Sequence, residues 1–318
     1  MNVGTSPLVS IITPVLNREE MIGRCLASVA KQSYARVEHI VVDGGSTDGT
    51  LDIIRSFERS HPIRWISGPD EGMYDAINKG LDLARGDVLA YVNSDDLYFP
   101  WSLDVAARSL SRGGDVVYGD LGMMMEREAG RRFFLQYYPS FDRTHYTYEA
   151  ALGQPSVFWT RSVVDRIGLF DASYKLIGDC EYWLRAARSG MTLRHVNEVL
   201  AVQMEHRDTL RAQFPELLER EWTTLRSSYG AWAGPPRAPW KRTIATSVYW
   251  RAHQLRFIAA AHRSDPKAWP MFLAWLRVHR IDVPASGLFW YGLPGLGGRR
   301  PMMIDMPPLE RALEALIS

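Results

Sequence analysis

Short apolar runs alternate with helical-period stretches through the first hundred residues. Residues 8–12, 37–42, 63–66 and 87–92, mostly apolar, read as strands of four to six residues. Between them Met21, Ile22, Cys25, Leu26 and Val29 recur at helical spacing, as do Met73, Ile77, Leu81 and Ala84. Ser46, Thr47 and Asp48 offer N-cap oxygens to a further helix that runs to about residue 59. Strand–helix alternation with short links predicts an α/β fold built on a parallel, doubly wound sheet.

After Pro100 the rhythm changes. Residues 115–118, 121–125, 132–138 and 156–159 read as strands with short links, so the sheet is expected to gain antiparallel members. A short helix over 161–167 ends at Gly168, and "GDCEYWLRAARSG" (178–190) is a helix with Tyr182, Trp183, Ala186 and Ala187 on its inner side. Residues 193–204 are extended, and helix follows from 211. The Pro-rich "AGPPRAPW" (233–240) is the clearest break, with a helical module expected over 240–279. The division expected is 1–210, with halves at about 7–100 and 101–210, followed by an extension over 211–318.

Composition narrows the class. The chain has 318 residues, 46% hydrophobic, enough for a full core, and a net charge of +1 argues against an overall field for nucleic acid. Cys25 and Cys180 fit no metal spacing and no disulfide framework, which favours a reducing compartment. No signal peptide and no spanning helix are expected. The balance hides an asymmetry: residues 237–300 carry eleven Lys or Arg against Asp265 and Asp282, with Trp and Tyr interleaved. Such a segment could pack back on the core, lie on an anionic membrane surface or bind single-stranded nucleic acid.

Ligands of open α/β sheets bind at the carboxyl ends of the strands. Acids fall at three such ends: Asp43, Asp70 and the pair Asp95–Asp96. Adjacent like charges repel unless something positive joins them, so converging carboxylates suit a hard cation, Mg²⁺ or Mn²⁺, carrying phosphate. The alternative is that Asp95 or Asp96 caps the next helix. "DGGSTDGT" (43–50) matches neither phosphate-binding glycine motif; it is a ribose or base contact, or an ordinary tight turn. His39, His145 and Cys25 read as structural.

The ordered set "SIITPVLNRE" (10–19), "VVDGGSTDGT" (41–50), "DEGMYDAINKGLDLARGD" (70–87), "VNSDDLY" (92–98) and "GDCEYWLR" (178–185) resembles the GT-A family 2 glycosyltransferases. The "GMYDAINKG" stretch is similar to the subgroup that builds bacterial surface polysaccharides and glycolipids. The resemblance covers about residues 7–205. It implies a mixed, mostly parallel sheet flanked by helices, with 211–318 as a C-terminal helical extension. It implies a metal-dependent, inverting transfer from a nucleotide-diphospho-sugar, a UDP-sugar favoured, to a glycan or lipid-linked acceptor.

By the same resemblance Asp43 holds the base or ribose, Pro14 and Asn17 line the nucleotide pocket, Gly72 admits the donor and Asn78 lies near the nucleotide. Asn93-Ser94-Asp95 takes the place of the DXD motif. Asp95 is the metal ligand, Asp96 lies near donor sugar or ribose, and His206 is a second candidate ligand. Asn93 departs from the family's acid. Gly153 and Gln154 form the acceptor-side loop and Asp179 is the general base, preceded by Gly178 where many relatives have Glu. Lipid-linked acceptors favour the membrane reading of 237–300, with the protein peripheral at the inner face of the cytoplasmic membrane. A nucleotide-sugar-binding subunit without turnover is the alternative. A nucleotidyltransferase is disfavoured, because no N-terminal Gly-rich loop carries a basic residue for a triphosphate.

Overall fold

The structure is a computed structural model. It describes residues 6–127, 130–136, 138, 141, 152–206 and 209–229. The expected helical module over 240–279, the basic segment 237–300 and His145 lie outside the described residues.

Strands β1 (Val9–Val15), β2 (Val37–Asp43), β3 (Ile63–Ser67) and β4 (Val88–Tyr91) run parallel in the order β3-β2-β1-β4. Helices α1 (Ile22–Ala30), α2 (Thr50–Glu58) and α3 (Met73–Leu83) form the crossovers. Each sets an apolar stripe on the sheet, as with Ile22, Cys25, Leu26 and Val29 of α1. β1 runs past the expected residue 12 to Val15, taking Pro14 into register with Val42.

Beyond β4 the sheet turns mixed. β5 (Leu97–Tyr98), α4 (Ser102–Ser111), β6 (Val116–Arg127), β7 (Gly130–Gln136), β8 (Val157–Thr160) and β9 (Leu193–Glu205) follow. β8 pairs antiparallel with β4 and with β6; β9 lies parallel to β6 and antiparallel to β5. The strands expected at 115–118 and 121–125 are one strand, β6, with register shifts at Tyr118/Asp120 and Asp120/Leu121. The break comes from Gly119, where a Cβ would stand 2.5 Å from Leu200 Cγ and 2.6 Å from the Glu198 carbonyl. Asp120 there turns inward, 3.0 Å from His195 Nε2.

Helices α5 (Arg161–Ile167), α6 (Gly178–Arg188), α7 (Leu210–Gln213) and α8 (Pro215–Ser228) complete the described chain. α8, assigned to the extension by sequence, buries Leu225 in the main core and packs Leu217, Leu218 and Trp222 against it. Among the described residues no helix is long and apolar enough to cross a membrane.

Candidate active site

The parallel strands β1, β2, β3 and β4 end on one edge, and the loops after β1, β2 and β3 are bonded to one another. Asn17, after β1, has φ +51, a left-handed conformation that Asn tolerates better than most side chains. Its Oδ1 accepts from Thr47 N at 2.8 Å, and its own amide donates to Ser46 Oγ at 2.8 Å. Asp43 ends β2 and is turned inward. Its Oδ2 accepts from Gly45 N at 3.0 Å, Ser46 N at 3.0 Å and Ser67 Oγ at 2.6 Å. Asp43 therefore fixes the 44–46 turn. Asp70 closes the same corner: Gly72 N donates to its Oδ1 at 2.8 Å, and a Cβ on Gly44 would lie 2.5 Å from its Oδ2. Any side chain at 44 would have to displace that carboxylate.

Gly72 precedes α3 with φ +118 and lies under the Lys175 stem. Asn78 does not face this edge. Its Nδ2 donates to the Phe170 carbonyl at 2.8 Å and its Oδ1 accepts from Phe170 N at 3.0 Å, so the whole amide is committed to a loop 92 residues away.

The two acids after β4 part company. Asp96 turns back under the sheet, where its Oδ1 accepts from Met204 N at 2.9 Å and its Oδ2 from Asn93 Nδ2 at 3.2 Å. Burial first, and then the neighbouring Asp95 charge, hold its carboxyl well above the usual range. It clamps the end of β9 and is not positioned for a sugar or ribose. Asp95 faces the other way, with its Oδ2 3.0 Å from His206 Nε2. The two candidate metal ligands, 111 residues apart in sequence, thus meet. A carboxylate oxygen and an imidazole nitrogen fit a divalent ion such as Mn²⁺. Asn93 Oδ1 is buried there with no hydrogen-bond partner among the described residues. Among the described residues no third His, Cys, Asp or Glu completes a cluster, so a bound ion would take its remaining ligands from elsewhere, as an ion that carries phosphate does.

Asp179 lies on the first turn of α6 and is 4% exposed. The Tyr74 hydroxyl, from α3, donates to its Oδ1 at 3.0 Å, and the Arg211 guanidinium stands 3.7 Å from its Oδ2. Burial, and then the Asp179 charge, push the Tyr74 phenol well above its ordinary value, so it remains a hydrogen-bond donor. The Arg211 side chain is half exposed, a cation beside a buried carboxylate. Gly178 has a local reason: a Cβ there would stand 2.8 Å from Tyr74 Cε2, so the Tyr74 ring fills the space that a side chain before Asp179 would need. Glu181 points away, paired with Arg185 at 2.9 Å and with the Tyr229 hydroxyl.

On the antiparallel side, Gly153 is fixed by packing, since a Cβ would meet Leu121 Cδ1 at 2.5 Å. Gln154 Oε1 accepts from Trp183 Nε1 at 2.9 Å, while its Nε2 is buried with no partner among the described residues. His39 and Cys25 are core groups, as expected. Burial pushes His39 down to about 3, and its Nε2 lies 2.9 Å from Thr13 Oγ1. Tyr74 and Arg211 were missed by sequence reasoning, because only the fold brings them to Asp179.

The glycosyl transferase family 2 model matches residues 10–164. A "PGL/p-HBAD biosynthesis glycosyltransferase" of Mycobacterium tuberculosis is 31% identical over 204 residues, covering 62% of this chain and 76% of that protein. Glycosyltransferase AglE of Haloferax volcanii is 29% identical, covering 72% and 75%. Among solved structures, the mannosyltransferase PcManGT of Pyrobaculum calidifontis in complex with GDP-Man and Mn²⁺ superposes with a TM-score of 0.56 at 20% identity, covering 91% of this chain and 80% of that one. S. aureus TarS 1–349 gives 0.55 at 20% identity; the match covers 69% of this chain and 64% of TarS 1–349. The shared architecture is the GT-A fold, with helices on both faces of a mixed sheet.

Proposed function

This chain belongs to glycosyl transferase family 2, and on that premise we propose that it moves a sugar from a nucleotide-diphospho-sugar to an acceptor hydroxyl with inversion. The observation that carries the reading is the 3.0 Å meeting of Asp95 with His206 on the sheet edge that ends in Asp43 and Asp70. The loops after β1, β2 and β3 would receive the nucleotide, with Asn17 and Asp43 shaping the backbone around it. Pro14 sets the exit of β1, and Gly72 leaves room above the donor. Asp95 and His206 would hold Mn²⁺ or Mg²⁺. A bound ion there supplies charge that stabilises the departing diphosphate.

Asp179 is the general base. The acceptor O–H gives its proton to the carboxylate oxygen not engaged by Tyr74. The acceptor oxygen bonds to the anomeric carbon as the bond from that carbon to the diphosphate oxygen breaks. One carboxylate is enough, because the leaving diphosphate needs no proton. Tyr74 orients the base, and Gln154 Nε2, without a partner among the described residues, would donate to an acceptor oxygen. The acceptor is taken to be lipid-linked from the sequence resemblance, and the related mycobacterial protein is named for PGL/p-HBAD biosynthesis. The basic, aromatic segment 237–300 would then hold the enzyme on an anionic membrane surface at the cytoplasmic face.

The test is release of nucleoside diphosphate from UDP-GlcNAc, UDP-glucose and GDP-mannose, with and without Mn²⁺. Wild type is expected to turn over one of them, and Asp179→Asn to fall at least ~100-fold. Full activity in Asp179→Asn overturns the base assignment. No release by wild type from any donor favours the alternative, a binding subunit without turnover.

A further inference from the structure

Helix α6 presents Asp179, yet its N-cap residue Ile177 makes no side-chain capping bond. The turn ahead of it instead aims three successive amides at one remote carboxylate. Lys175 N donates to Glu221 Oε1 at 2.6 Å, and Leu176 N and Ile177 N donate to Oε2 at 3.0 and 3.1 Å. Glu221 stands on α8 and is 7% exposed. Converging backbone amides form an anion-binding concavity, and a carboxylate within it makes charge-assisted bonds. Glu221 also interrupts the apolar stripe of Leu218 and Leu225 on α8. An apolar residue would suit that packing; an acid there serves the amides.

The same turn reaches both halves of the site. The Lys175 side chain crosses Gly72, where a Cβ would come within 3.4 Å of its Cδ, and its Nζ donates to the carbonyls of Glu71 and Ala172. Four residues on, Asp179 accepts from Tyr74, whose helix begins directly after Gly72. One three-amide turn therefore sets the distance between the loop over the donor and the carboxylate over the acceptor.

We propose that Glu221 is a positioning residue for the general base: it touches no substrate, and it fixes the turn that aims Asp179. The inference rests on the reading of Asp179 as base. In the full-length protein, Glu221→Gln and Glu221→Ala are expected to lower kcat 10- to 100-fold on whichever of UDP-GlcNAc, UDP-glucose or GDP-mannose the wild type uses. Binding of the corresponding nucleoside diphosphate with Mn²⁺ should stay within about 3-fold. Formate, which can enter the vacated concavity, should restore part of the turnover of Glu221→Ala and none of that of Asp179→Asn. Hydrogen exchange at amides 175–181 should speed at least 10-fold, with β1 and β4 unchanged.

A kcat within 3-fold of wild type overturns the proposal, as does nucleotide binding that falls in parallel with kcat. Full turnover in Asp179→Asn instead sinks the base assignment, whatever Glu221 does. Glu221→Gln keeps the side-chain volume should Glu221→Ala not fold, and unchanged exchange at 175–181 refutes the positioning role without any donor.

Discussion

Replacing Gly178 by Ala tests the packing beside the candidate base. The new Cβ would stand 2.8, 2.9 and 3.0 Å from Tyr74 Cε2, Cδ2 and Cζ, distances that real Cβ atoms do not hold against a ring. The ring has nowhere to go. It is 1% exposed and stacks on Phe170 at 5.8 Å, and Phe170 in turn stacks on Tyr182 at 3.9 Å. Overpacking of this kind costs about 1–3 kcal/mol. For a domain of this size each kcal/mol lowers Tm by roughly 2–4 °C, so a fall of about 2–12 °C is expected. In a Tyr74→Leu background the space is open and the sign should reverse, since Ala is the better helix former. Urea unfolding of wild type, the two single variants and the double variant gives the coupling directly. At least ~1 kcal/mol is expected, and a coupling inside the ~0.5 kcal/mol seen for independent sites refutes the reasoning.

Other perturbations follow from the same contacts. His39 is neutral in the fold at about 3 against an ordinary 6.5, so below pH 6.5 the unfolded chain gains a proton that the native state does not. Stability should drop by about 2 kcal/mol between pH 7 and pH 5 from this group alone. His39→Gln should lose about that much less, as read by urea unfolding at both pH values, and equal losses contradict it. Asp96→Ala strands the buried Met204 amide and should cost about 1–3 kcal/mol in unfolding free energy; no change in Tm would show that β9 does not depend on the clamp. His206→Ala should weaken Mn²⁺-dependent nucleotide binding at least ~10-fold by calorimetry, with metal-free binding unchanged. Equal binding in both proteins would remove His206 from the metal site.

The strand ends were legible because the strands are mostly apolar, and Asp43 ends one while Asp70 and Asp95 follow shortly after two others. The direction of each side chain was not. Asp95 and Asp96 are adjacent and chemically identical, and only the approach of β9 sends one to Met204 and the other to His206. Asn78 lies in a motif similar to a nucleotide-binding one, yet Phe170, 92 residues on, takes both ends of its amide. β6 read as two strands because Gly119 and Asp120 break its apolar pattern, at a bulge where Leu200 and the Glu198 carbonyl press on Gly119. Glu221 did leave a local trace, an acid on the stripe between Leu218 and Leu225. Its partners, the amides of 175–177, carry no sequence signal because backbone groups are the same at every residue.

The central claim is that the loops after β1, β2 and β4 with His206 form a metal-dependent nucleotide-sugar site. Thermal stabilisation of the full-length protein by UDP, GDP, TDP and CDP, each with and without Mn²⁺, tests it most directly, since a ligand bound to the native state raises Tm by mass action. The account predicts a shift with one nucleotide that needs Mn²⁺ and disappears in Asp95→Ala. No shift with any of the four at millimolar concentration, or a shift that Asp95→Ala leaves intact, would contradict it.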